Sequence, residues 1–147
     1  MTSPKMSSPS GGTSDSADIK TSDSTRQVTV IAIDHNPILL EGIAVLIRNQ
    51  PDMTLLGTAG SASEGVALHL EKRSDITVID LELTDSTAFV AIRNILTGNP
   101  QARLIGLTTY EFDKSGPEAL EAGVIAVVAK DRIGEDLVPL IRHRLGL

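Results

Sequence analysis

Cysteine is missing from this 147-residue chain. That excludes disulfides, thiolate metal centres and cysteine nucleophiles, and leaves the redox compartment unreadable from bridges. Tryptophan is missing too and aromatic residues make up only 2% of the chain, so a core must be built from Val, Ile, Leu and Ala. No apolar run approaches a bilayer span, and no charged segment leads into an apolar one at the N-terminus. Membrane insertion and secretion are therefore not expected, and the expected location is the cytoplasm. Positive charge is scarce: 13 Lys and Arg face 19 Asp and Glu, a formal net charge of −6. That sign opposes phosphate-backbone binding, so nucleic acid is not an expected direct partner. There is no glycine-rich phosphate loop and no paired His/Glu spacing for zinc.

What is present divides at residue 27. Residues 1–27 form a Ser/Thr/Gly/Pro-rich tail with almost no apolar residue able to pack, and disorder is expected there. Three acids in this tail (Asp15, Asp18, Asp23) cancel three bases (Lys5, Lys20, Arg26), so the net charge belongs to the body, 28–147. The body carries apolar runs at Val28–Ile33, Met53–Ala59, Ile76–Asp80, Leu104–Thr108 and 124–129. Their apolar residues run continuously, the pattern of strands buried on both faces.

Helical segments lie between these runs. Asn36 and Pro37 stand as cap and first helical residue ahead of Leu39, Ile43, Leu46 and Ile47. "SASE" at 61–64 and "SGPE" at 115–118 have capping-box spacing, and Gly123 stands where a left-handed C-cap is expected. Another helix is expected over about 87–96, stopped by "GNP". The last carries Leu137, Leu140, Ile141 and Leu145 and contains Pro139, which kinks a helix unless it falls in the first turn.

Five strands alternating with five helices predict a doubly wound α/β fold with a parallel sheet of order 2-1-3-4-5. The ligand crevice of such a sheet opens at the carboxyl ends of strands 1 and 3. Those strand ends carry Asp34 and His35, and Asp80; strands 4 and 5 end at Thr108 and Lys130. Singly each is an ordinary turn former. Together a carboxylate nucleophile, an ammonium and a hydroxyl suit phosphoryl transfer to a side chain.

"IDHNP", "TVIDLEL", "LIGLTTY" and "ALEAGVIAVVAKD", in this order and spacing, resemble the receiver domain of two-component response regulators, with its CheY-like, flavodoxin-like fold. The "PILLEG" helix start and the "AGxxAxxxKD" cadence are most similar to receivers that precede a helix-turn-helix. The resemblance implies a non-enzymatic phosphorelay module. It makes Asp80 the phosphoacceptor, Asp34 and Asp80 magnesium ligands, Thr108 the switch hydroxyl and Lys130 the phosphate-pairing ammonium. A sensor histidine kinase is the implied partner.

Departures from the family pattern set the further expectations. His35 stands where the family has its second acid, and imidazole suits Mg²⁺ poorly, so metal affinity is expected to fall and phosphorylation to be impaired. Protonated His35 paired with Asp34 and Asp80 is one expected compensation. A contribution of Glu82 to the metal, through its side chain or backbone carbonyl, is another. Val127 replaces the family's mobile aromatic residue, and Thr84 with Asp85 or Ala88 replaces its proline and glycine. His69 and His143 read as polar helix positions with no partner implied. Because the sequence ends at Leu147, a stand-alone receiver is expected, with any effect on DNA indirect. A homodimer or partner surface is expected on the helix 4, strand 5, helix 5 face, with Glu118, Glu121, Arg132, Arg142 and Arg144. The alternatives are a phosphorylation-independent interaction module and a small flavodoxin-like cofactor binder.

Overall fold

The computed structural model describes residues 26–83, 87–109 and 115–147. Strands β1 (Val28–Ile33), β2 (Met53–Ala59), β3 (Ile76–Asp80), β4 (Leu104–Thr108) and β5 (Ala126–Ala129) alternate with helices α1 (Pro37–Arg48), α2 (Ala62–Lys72), α3 (Ala88–Gly98), α4 (Ser115–Ala122) and α5 (Ile133–Arg144). The strands form one parallel sheet of order β2-β1-β3-β4-β5, as the alternation predicts.

Side-chain alternation divides the core into two layers. Val28, Val30 and Ala32 of β1 join Leu40, Ile43 and Ile47 of α1 and Leu137 and Ile141 of α5 on one face. Ile31 and Ile33 of the same strand join Ala62, Ala91, Ile92, Ile95 and Ala119 from α2, α3 and α4 on the other. With Phe89, partly buried against the second layer, the one Phe, Tyr or Trp among the described residues, close approach does most of the filling. A Cβ on Gly65 would stand 2.5 Å from Ile33 Cδ1, so α2 seats against β1 only with glycine there.

Local signals end the elements largely where the sequence places them. Asn36 Oδ1 accepts from the amides of Ile38 and Leu39, with Pro37 at the first position of α1. Ser61 Oγ caps α2 through Glu64 N, while Glu64 Oε1 accepts from Gly60 N, one residue earlier than a standard capping box. Thr87 caps α3, and Gly123 closes α4 at a φ of 119°.

Three details differ from the sequence reading, and a fourth, left open there, is decided. Ser115 is the first residue of α4, not its cap. Strand β5 starts at Ala126, two residues late, because Val124 N is taken by Ala119 O at the close of α4. Pro139, whose place the sequence leaves open, lies inside α5, past its first turn, so the helix there lacks one amide donor. Gln27, grouped with the tail by composition, bonds Pro51 O and Thr54 Oγ1 at the start of β2. The rest of 1–27, apart from Arg26, and the loop residues Thr84 and Asp85 lie outside the described residues.

Candidate functional site

At the carboxyl edge of the sheet, β1 and β3 run side by side and each delivers a carboxylate to its end. Asp34 and Asp80 are both fully buried. Each is aimed by the chain that follows it: Asn36 N donates to Asp34 Oδ1 at 2.8 Å, and Glu82 N donates to Asp80 Oδ1 at 2.9 Å. These twin side-chain-to-backbone turns fix both carboxylates before any partner is considered.

Lys130, directly after β5, sets its ammonium 3.1 Å from Asp34 Oδ2 and 3.1 Å from Asp80 Oδ1. The sheet register explains its reach. Asp80 pairs with Leu107, Thr108 pairs with Ala129, and each step moves one residue further along the edge. Burial pulls the Lys130 ammonium toward neutrality, but its contacts with Asp80 and Asp34 outweigh burial and hold its pKa above that of ordinary lysine. Apart from that ion pair, Asp34 Oδ2 is enclosed with no hydrogen-bond partner among the described residues.

His35 completes the cluster from the solvent side. Its Nδ1 lies 2.6 Å from Asp80 Oδ2, the ring donating, and 3.6 Å from Asp34 Oδ1, while the side chain stays 44% exposed. The two acids thus divide their oxygens: Asp34 Oδ2 and Asp80 Oδ1 face Lys130, and Asp34 Oδ1 and Asp80 Oδ2 face His35. The pairing of His35 with both acids that the sequence suggests is present as geometry.

The other candidate residues separate. Thr108 is buried at the end of β4 with its hydroxyl 3.3 Å from Ser115 Oγ. The Glu82 side chain does not join the metal-type cluster of Asp34, His35 and Asp80; its carboxylate accepts from the Thr109 hydroxyl instead. Val127 is half-buried and lines a groove of about 310 Å³ with Thr108, Gly116, Leu120, Ala129 and Arg132. At that groove Arg132 pairs with Asp136 one turn on; Glu118, Glu121 and Arg144, which the sequence reading assigns to the same face, are exposed. Arg142 does not belong to it. Its guanidinium bonds Asp52 and Gln50, which precede β2 at the opposite edge of the sheet.

Sequence reasoning missed a second polar cluster. His69 is fully buried, with Nδ1 2.8 Å from Thr77 Oγ1 and Nε2 3.0 Å from Asn99 Nδ2; Ser74 Oγ lies 2.7 Å from Thr77 Oγ1. Its signal was slight: a threonine inside an otherwise apolar strand, and a histidine in register with Ala62 and Gly65 on the buried face of α2.

A five-stranded 2-1-3-4-5 sheet with two acids and a lysine at its carboxyl edge defines a receiver. Residues 30–142 match the family model of the response regulator receiver domain, and the chain belongs to that family. It is 30% identical over 115 residues to the DNA-binding transcriptional activator DevR/DosR of Mycobacterium tuberculosis, covering 78% of this chain and 53% of that protein. It is 28% identical over 116 residues to the uncharacterized transcriptional regulatory protein YxjL of Bacillus subtilis, covering 79% and 53%. The chain therefore spans about half the length of the curated relatives it matches. A LuxR-family two-component response regulator from Aurantimonas superimposes with a TM-score of 0.76 at 29% identity, over 82% of this chain and 86% of that one. Among the described residues no helix is long and apolar enough to cross a membrane.

Proposed function

We propose that this chain is a cytoplasmic receiver whose phosphoacceptor, Asp80, is restrained by His35. The observation that carries the reading is the 2.6 Å contact between His35 Nδ1 and Asp80 Oδ2. In transfer, an Asp80 carboxylate oxygen attacks the phosphorus of a sensor kinase's phosphohistidine or of a small acyl phosphate. The P–N or P–O bond breaks, and the leaving group keeps its electron pair while Asp80 becomes an acyl phosphate. Lys130 is positioned to neutralise the transferred oxygens, and Thr108 supplies a hydroxyl from the neighbouring strand end. Before attack, Asp80 must give up His35. An imidazole at the solvent mouth can swing away, so the contact slows transfer without abolishing it.

Receiver domains bind Mg²⁺ in an acidic pocket at this position. The donors here are two carboxylates and an imidazole, and the nitrogen standing where a third carboxylate is expected does not fit that hard, oxygen-seeking ion. No step above passes through it. Since Val127 cannot swing as an aromatic ring would, the output rests on Thr108 and the groove beside it. A second reading, docking or dimerisation without phosphorylation, is favoured by Leu120, which leaves 51% of its surface exposed beside that groove.

Incubation with acetyl phosphate followed by intact-mass measurement tests the first reading. The expected result is a slow, partial phosphoryl adduct absent from Asp80→Asn, and a several-fold faster one in His35→Asp. No adduct in either the native protein or His35→Asp would replace this reading with the docking module.

A further inference from the structure

The misfit to Mg²⁺ has a positive counterpart: we infer that Asp34, His35 and Asp80 form a site for a borderline divalent transition-metal ion of the Zn²⁺ or Co²⁺ class. This rests on the same pocket as the receiver reading but not on phosphorylation taking place.

Three donors converge from two strand ends, one ligand atom from each, all within 4.8 Å of one another. The separations of His35 Nδ1 from Asp80 Oδ2 and Asp34 Oδ1, 2.6 and 3.6 Å, bracket the roughly 3 Å between neighbouring ligands around an ion with bonds of about 2.1 Å. The two carboxylates are already desolvated and held by the backbone amides of Asn36 and Glu82, so little remains to be ordered on binding. The half-exposed imidazole is the adjustable donor, and the side of the cluster it occupies opens to solvent, leaving coordination positions for water. In binding, the ion takes the place of the Nδ1 hydrogen shared with Asp80, and the neutral ring carries its proton on Nε2 instead.

Charge and donor type together select the ion. Lys130 offsets one of the two acids, leaving about one net negative charge where a third carboxylate would leave two. Mg²⁺, which depends on hard oxygen and charge, loses attraction. Zn²⁺ and Co²⁺, which bind imidazole nitrogen well, gain a ligand they prefer. Lys130 holds Asp34 Oδ2 and Asp80 Oδ1, so the oxygens left for the ion are Asp34 Oδ1 and Asp80 Oδ2, the two that face His35.

Calorimetric titration of the full chain with Zn²⁺, Co²⁺ and Mg²⁺, without phosphodonor, tests this, with the visible spectrum of bound Co²⁺ as a second readout. One site is expected, at least about tenfold tighter for Zn²⁺ than for Mg²⁺. His35→Asp is expected to reverse the order and alter the Co²⁺ spectrum, and His143→Ala, on the exposed face of α5, to change neither. Equal Zn²⁺ and Mg²⁺ affinities in the native chain would overturn the inference, as would undiminished Zn²⁺ binding by His35→Ala. Because no phosphodonor is present, a tight Zn²⁺ site with no adduct in the mass experiment leaves this inference standing and removes the receiver chemistry. An adduct with no Zn²⁺ site does the reverse.

Discussion

Two histidines each bond a side chain of β3 through Nδ1, and they have opposite characters. His35 meets Asp80 at the carboxyl end of the strand, half in solvent; His69 meets Thr77 near its start, fully enclosed. At the first, the ring faces two carboxylates that also hold an ammonium, so it serves as a movable donor in a charged site. At the second, Asn99 donates to Nε2, leaving Nδ1–H to donate to Thr77, so the ring is a neutral strut whose every polar atom has a partner. Burial, reinforced by the charge of Arg73, holds the His69 pKa below that of ordinary histidine. The same side chain thus joins chemistry or core according to whether water reaches it and whether its partners carry charge.

Replacing each ring by alanine gives the sharpest test of that contrast. His69→Ala opens a cavity and strands Asn99 and Thr77, and is expected to cost about 3 kcal/mol in urea unfolding followed by circular dichroism. His35→Ala, at the solvent mouth, is expected to change stability by less than about 1 kcal/mol. Equal losses would erase the distinction.

Acid probes the second member of the pair. Because the folded-state pKa of His69 is lowered, its contribution to stability is complete above the unfolded value of about 6.5 and is lost as pH falls below it. Unfolding free energy is expected to fall as pH drops below about 6.5, with a slope of up to about 1.4 kcal/mol per pH unit from this group, and His69→Gln to remove that component. An unchanged slope in His69→Gln would assign the acid sensitivity elsewhere.

The smallest effect is expected at Arg73, the C-cap of α2, which adopts a left-handed φ of 51° and bonds Gly98 O through its side chain. Arg73→Gly relieves the backbone but loses that exposed bond, for a net gain of about 0.5 kcal/mol. It also removes the charge that helps depress the His69 pKa. A shallower acid slope in this variant, read by the same unfolding experiment, would sharpen the comparison.

Much of this protein was determined by the sequence itself. Continuous runs of Val, Ile, Leu and Ala announce strands covered on both faces, and Asn36–Pro37, Ser61 and Thr87 mark helix starts through capping, a short-range interaction legible from neighbouring residues. Strand ends then single out Asp34, His35, Asp80, Thr108 and Lys130, because in a doubly wound sheet the crevice position follows from topology. Contacts between segments distant in the chain were decided only by tertiary structure. It turned the carboxylate oxygens toward Lys130 or His35, turned Glu82 to Thr109, carried Arg142 to Asp52 at the opposite sheet edge, and closed His69 over Thr77 and Asn99. Periodicity reports which face a residue occupies. What meets it there depends on how two separately formed elements dock, and for side chains as alike in sequence as His35 and His69 that docking decides whether the ring is solvated or sealed.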